Sequence, residues 1–135
     1  MIKNFFEKII YPKNNEVKII AEMSGNHQGT YEGANKFVKQ AIKMGADAIK
    51  FQVYRADTIT LNSNKKDFLV RSEGIWGKFK TLHDLYDEAH TPWKWISKLA
   101  SSLNAKKFPW FASPFDISSV DFLNSYVIQN YLQQL

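Results

Sequence analysis

Cysteine is absent from all 135 residues, which excludes disulfides and thiolate metal sites and fits a reducing compartment. No apolar run approaches the roughly 18 residues that a membrane span needs. The amino-terminal stretch MIKNFFEKIIYPKNN lacks both an unbroken apolar centre and a small-residue cleavage site, so it does not read as a signal peptide. Internal repeats and low-complexity segments are missing too. The glycines do not fall into a GxGxxG spacing, which removes the dinucleotide-binding fingerprint. A soluble cytoplasmic protein without a membrane partner is the expectation these absences leave. What is present is apolar enough to fold: 44% hydrophobic and 15% aromatic residues separate the chain from disordered sequences. Its length allows one domain or part of one with a real core.

The formal net charge of +5 raises the question of nucleic acid. The lysines, however, are spread over helix faces (Lys36, Lys39, Lys43) and one long loop (Lys65, Lys66, Lys78, Lys80). No basic helix, zinc spacing or aromatic RNA-binding signature accompanies them, so no nucleic-acid partner is expected. A modest basic excess also suits small phosphate or carboxylate substrates.

Residues 17–22 are β-rich and apolar up to Glu22, and the loop SGNHQG follows. Ala34, Phe37, Val38, Ala41 and Ile42 then recur with helical spacing. Thr30 suits the N-cap of that helix and Gly45 its left-handed C-terminal stop. Residues 48–54 make a second strand, parallel to the first because a single helix connects them. A second amphipathic helix begins at Thr91-Pro92, with threonine as cap and proline in the first turn; Ile96, Leu99, Ala100 and Leu103 form its buried stripe. A third strand is expected over 108–112, and another helix from about Ile117. The order β-α-β-loop-α-β-α is that of an α/β chain with a parallel sheet. Residues 55–80 show little periodicity, but Leu69, Val70, Ile75, Trp76 and Phe79 suggest a packed lid.

Strand alternation puts Ile49, Phe51 and Val53 on one face, and Ala48, Lys50, Gln52 and Tyr54 on the other. A lysine facing inward is costly unless it meets an opposite charge or an anionic ligand. Glu22, ending the neighbouring strand, is the obvious partner. The pair is either a structural ion pair between strands or part of a site at the carboxyl ends of parallel strands, where α/β proteins place their ligands. Asn26 and His27 follow in the loop. A lone loop histidine is more often a hydrogen-bonded turn residue than a ligand, and His83 and His90, on a later helix, lack metal-ligand spacing to it. Ser113, in ASPFD after the third strand, suits a donor to an oxyanion or phosphate, or an ordinary turn before proline.

Taken together, IIAEMSGNHQG, GADAIKFQVYRADTIT, TLHDLYDEAHTPWKW and FASPFDISSVDFL resemble the sialic acid synthase family. These enzymes condense phosphoenolpyruvate with an amino sugar to form nonulosonic acids. The loop LNSNKKDFLV and the segment after it look most like the pseudaminic acid synthases, with N-acetylneuraminate and legionaminate synthases as alternatives. The resemblance implies the first three βα units, over residues 1–125, of a (β/α)8 TIM barrel, and a homodimer in which a small antifreeze-like domain reaches the partner's site. It implies a divalent metal, Mn or Mg, whose ligands do not occur in this chain. It places Glu22 and Lys50 in the active site, with Lys50 contacting phosphoenolpyruvate. Gln52 then lies on the sugar side, Ser113 near the phosphate, and Asn26 and His27 beside the substrate. The expected sugar is a 2,4-diacetamido-2,4,6-trideoxy hexose, condensed to a nonulosonic acid with release of phosphate. Beyond VDFLNSY the pattern departs from the family: residues 126–135 read as a divergent, frameshifted tail, and the antifreeze-like domain is absent. The expectation is a truncated chain, inactive alone or a non-catalytic remnant.

Overall fold

The computed structural model describes residues 16–71 and 73–132, the stretch 127–132 by its backbone alone. Three parallel strands, β1 (Ile20–Met23), β2 (Ala48–Val53) and β3 (Trp110–Pro114), lie side by side in chain order. The first crossover is helix α1 (Tyr31–Lys43). The second is longer: α2 (Ala56–Ile59), a 3-10 turn at Lys66–Phe68, α3 (Leu82–Ala89) and α4 (Trp93–Ala105). Helix α5 (Ile117–Leu132) follows β3. The α/β architecture with a parallel sheet is therefore as its sequence pattern predicts.

The caps of α1 are the predicted ones. Thr30 Oγ1 accepts from the Gly33 amide at 3.0 Å, and the helix ends with Gly45 at φ +92°. Paired bonds from Gly45 N to Ile42 O and from Ala46 N to Ala41 O close it. Glu32 in its first turn and Lys43 in its last complement the helix dipole. Alternation along β2 sorts as expected: Ile49, Phe51 and Val53 are fully buried. They join Met23, Val38 of α1, and Ile96, Leu99 and Leu103 of α4 in one core, with Phe122 and Leu123 of α5 packed against it. All three long helices thus cover the same sheet face. The other face carries the polar residues.

Four boundaries differ from the sequence expectation, each for a physical reason. β1 starts at Ile20 rather than Val17; Ile19 donates to and accepts from Asp47 instead, through the Asp47 Oδ2 carboxylate (2.8 Å) and the Asp47 amide (2.7 Å). β2 stops at Val53, one residue short. β3 spans 110–114, not 108–112, because Phe108 completes the end of α4. Its amide bonds to Leu103 O and that of Lys107 to Asn104 O, with Lys107 in the left-handed region at φ +52°. α4 begins at Trp93 with Pro92 in the cap position, while the Thr91 hydroxyl donates to Ser24 O at 3.2 Å.

The predicted lid is also different. Residues 55–80 hold α2 and the 3-10 turn, and a Leu69–Thr81 bridge ties the segment to the start of α3. Val70 and Phe79 are half-buried, but Leu69, Ile75 and Trp76 are exposed. The segment is shaped by backbone bonds and turns more than by an apolar cluster of its own.

Candidate functional site

At the carboxyl end of the sheet the strand register sets Glu22 beside Lys50, and Gln52 beside Ser113. Registered neighbours on parallel strands point to the same side, so Glu22, Lys50, Gln52 and Ser113 converge on the face that the helices leave open. The Lys50 Nζ lies 2.6 Å from Glu22 Oε2. On the other carboxylate oxygen, Gln52 Nε2 donates to Glu22 Oε1 at 2.5 Å. The Lys50 hydrogen bond, opposed by burial and helped by Gln52, holds the Glu22 carboxyl below its ordinary pKa. The charged form is therefore the resident one.

This pair is no buried structural bridge. The Lys50 side chain keeps 29% of its exposure and the Glu22 side chain 38%, so solvent screens the attraction and its contribution to stability is small. An ammonium already desolvated on one side, oriented by a carboxylate and open on the other, is suited to accept an anion. The Ser113 hydroxyl, half-buried in β3, has no hydrogen-bond partner among the described residues. It lies within the strand rather than after it, which brings it into register with Gln52.

The loop residues behave otherwise. Asn26 is an exposed turn residue whose Oδ1 accepts from the Ser24 amide at 3.1 Å. His27 is buried to 1% exposure. Its Nδ1 accepts from the Gly29 amide at 3.1 Å, which fixes the proton on Nε2, where it is donated to Ala89 O at 3.1 Å. Trp95 packs edge-on against its ring. Both ring nitrogens thus serve the fold, and the ring also borders a cleft beside the loop. With Thr91 on Ser24 O and Gly25 against Ala89, His27 clamps the β1–α1 loop onto the corner between α3 and α4.

Two groups were not singled out from sequence. Phe111 stands in register with Lys50 on the open face; only the register reveals that neighbour. Asp116, in SPFD, caps α5. Burial raises its pKa, but bonds from Ser118, Ser119 and Thr58 outweigh this and hold it far below the ordinary carboxylate value. The Thr58 bond, 2.8 Å long, ties α2 after β2 to the end of β3. An aspartate followed by serines ahead of a helix is a readable capping signal.

A cleft of about 300 Å³ is lined by Gly25, His27, Gln28, Trp76, Lys78 and Phe79 among others. None of Glu22, Lys50, Gln52 or Ser113 lines it, so the concavity and the charged constellation are separate features. Among the described residues no three His, Asp or Glu side chains converge as metal ligands. No described helix is long and apolar enough to cross a membrane.

Comparison with known proteins bears on this geometry. The family model described as the NeuB family matches residues 37–131. The chain is 45% identical over 111 residues to the pseudaminic acid synthase of Campylobacter jejuni, covering 82% of this chain and 32% of that protein. It is 35% identical over 112 residues to the N,N'-diacetyllegionaminic acid synthase of Legionella pneumophila, covering 79% and 30%. The crystal structure of the N-acetylneuraminic acid (sialic acid) synthetase of Leptospira borgpetersenii superposes with a TM-score of 0.62 at 28% identity, over 84% of this chain and 34% of that one. The chain spans about a third of the length of the curated relatives it matches.

Proposed function

The chain belongs to the NeuB family, and from that premise we propose that it forms the phosphoenolpyruvate-binding wall of a nonulosonic acid synthase. Within the family, pseudaminic acid synthesis is favoured over legionaminic acid synthesis by 45% against 35% identity. The observation that carries the reading is the Glu22–Lys50–Gln52 constellation, open to solvent at the carboxyl ends of parallel strands with Ser113 alongside. On this reading the three strands open a (β/α)8 barrel whose interior is the polar face. Metal dependence, a homodimer and a cytoplasmic location belong to the same proposal and rest on family membership alone.

The residues divide the work by charge. The Lys50 ammonium binds the anionic end of phosphoenolpyruvate, and the Ser113 hydroxyl donates to a phosphate oxygen. Glu22 keeps Lys50 aimed at the open face and anchors the Gln52 amide, which faces the sugar. The overall reaction joins C3 of phosphoenolpyruvate to the aldehyde carbon of the open-chain sugar. Water adds at C2, and inorganic phosphate departs by cleavage of the bond between C2 and its oxygen. Lys50 and Ser113 hold the phosphate for that departure.

The test is calorimetric titration of the full chain with phosphoenolpyruvate, beside Lys50→Met. Removing a charged hydrogen-bonding partner costs about 1.5–3 kcal/mol, so affinity should fall roughly 10- to 100-fold. Equal binding by the two proteins would refute the assignment.

A further inference from the structure

Beyond Gln52 on the same side of β2 stands Tyr54, only 6% exposed yet outside the main core. Its ring is enclosed edge-to-face by three others: Phe115 after β3 at 5.5 Å, Tyr86 of α3 at 6.2 Å, and His90 at 6.5 Å. The backbone bond from Phe115 N to Val53 O fixes Phe115 in place. His90 Nδ1 is engaged with Asp87 O. A buried tyrosine hydroxyl ordinarily finds a partner, but that of Tyr54 has none among the described residues. Among those residues the fully buried polar side-chain atom without a partner is instead Trp93 Nε1, so the phenol oxygen keeps an opening.

We propose that Tyr54, with Phe115 and Tyr86, is a specificity-determining contact for the N-acyl group of the amino sugar. The phenol donates to the acyl carbonyl, and the exposed side of Phe115 packs on the acyl methyl. This rests on the reading of the Lys50 wall as a synthase site. The chemistry fits a neutral amide better than the alternatives. Phosphate and carboxylate find their cation in Lys50, whereas the phenol is a neutral donor suited to a neutral carbonyl. Burial and, after it, the neighbouring Tyr86 raise the Tyr54 pKa above the ordinary phenol value, which keeps the donor proton in place.

The test uses the full chain with isotope-labelled tyrosine rings, titrated by NMR with N-acetylmannosamine, mannosamine and phosphoenolpyruvate. N-acetylmannosamine should move the Tyr54 ring signal and bind more tightly than mannosamine. Tyr54→Phe, which keeps the ring contacts, should weaken N-acetylmannosamine binding about 3- to 10-fold and leave phosphoenolpyruvate affinity unchanged. Phe115→Ala should narrow the preference for the acetylated sugar in the same way. Unchanged N-acetylmannosamine affinity in Tyr54→Phe, equal binding of the two sugars, or no sugar binding at all would overturn the inference. Phosphoenolpyruvate binding retained in those cases leaves the Lys50 reading standing; its loss removes both.

Discussion

Glu22 accepts from Lys50 through one oxygen and from Gln52 through the other, so the ammonium has its counter-charge within the chain. That carboxylate must repel an incoming anion even as it orients the ammonium that attracts it. Glu22→Gln should therefore tighten phosphoenolpyruvate binding while shifting unfolding free energy by less than about 1 kcal/mol, as expected for a screened pair; weaker binding would show that orientation of Lys50 by the carboxylate outweighs its repulsion of the anion. Asp116 does a different task. Its folded pKa is depressed, so its stabilisation is complete above the unfolded aspartate pKa and is lost as pH falls through the folded value. Asp116→Ala should cost about 1–2 kcal/mol at pH 7, the range for a lost N-cap, and the gap to the parent in urea midpoints should narrow steadily below about pH 4. A gap that stays constant down to pH 2 would contradict the assignment. Lys50 and Glu22 were legible in the sequence because charge on an apolar strand demands a partner. The task of His27 was not, because its acceptor, Ala89 O, lies 62 residues away.

At the scale of elements, local signals were read well and long-range ones poorly. Both ends of α1 follow from Thr30 and Gly45, whose effects act within a turn of the helix. The start of β3 was misjudged because Phe108 has strand character yet is claimed by the closing bonds of α4. Residues 69–79 were over-read as a packed lid, since apolar composition alone does not say where a side chain points. Gly33 offers a sharp check on the join between the clamped loop and α1. A Cβ there would lie 2.2 Å from His27 O, a clash with backbone that no rotamer relieves. Alanine in a helix is otherwise favoured over glycine by about 1 kcal/mol. Gly33→Ala should nevertheless lower the thermal midpoint clearly, and a raised midpoint would show that the loop does not press on the helix.

For the whole molecule, the sequential sheet order β1-β2-β3 leaves one face to the helices and one to the polar residues. That division was legible from the alternation along β2, because burial on one side and charge on the other cannot be exchanged without a register slip. The anion proposed for Lys50 rests on the resemblance carried by four consecutive motifs, since a lysine on a strand names no ligand by itself. The central claim is one of place: phosphoenolpyruvate binds on the open sheet face and not in the cleft beside Trp76. Backbone-amide NMR of the full chain during a phosphoenolpyruvate titration tests it most directly. Saturable shifts should concentrate at Glu22, Lys50, Gln52 and Ser113. Shifts centred instead on Gly25, Gln28, Trp76 and Lys78, or none at all, would contradict the account.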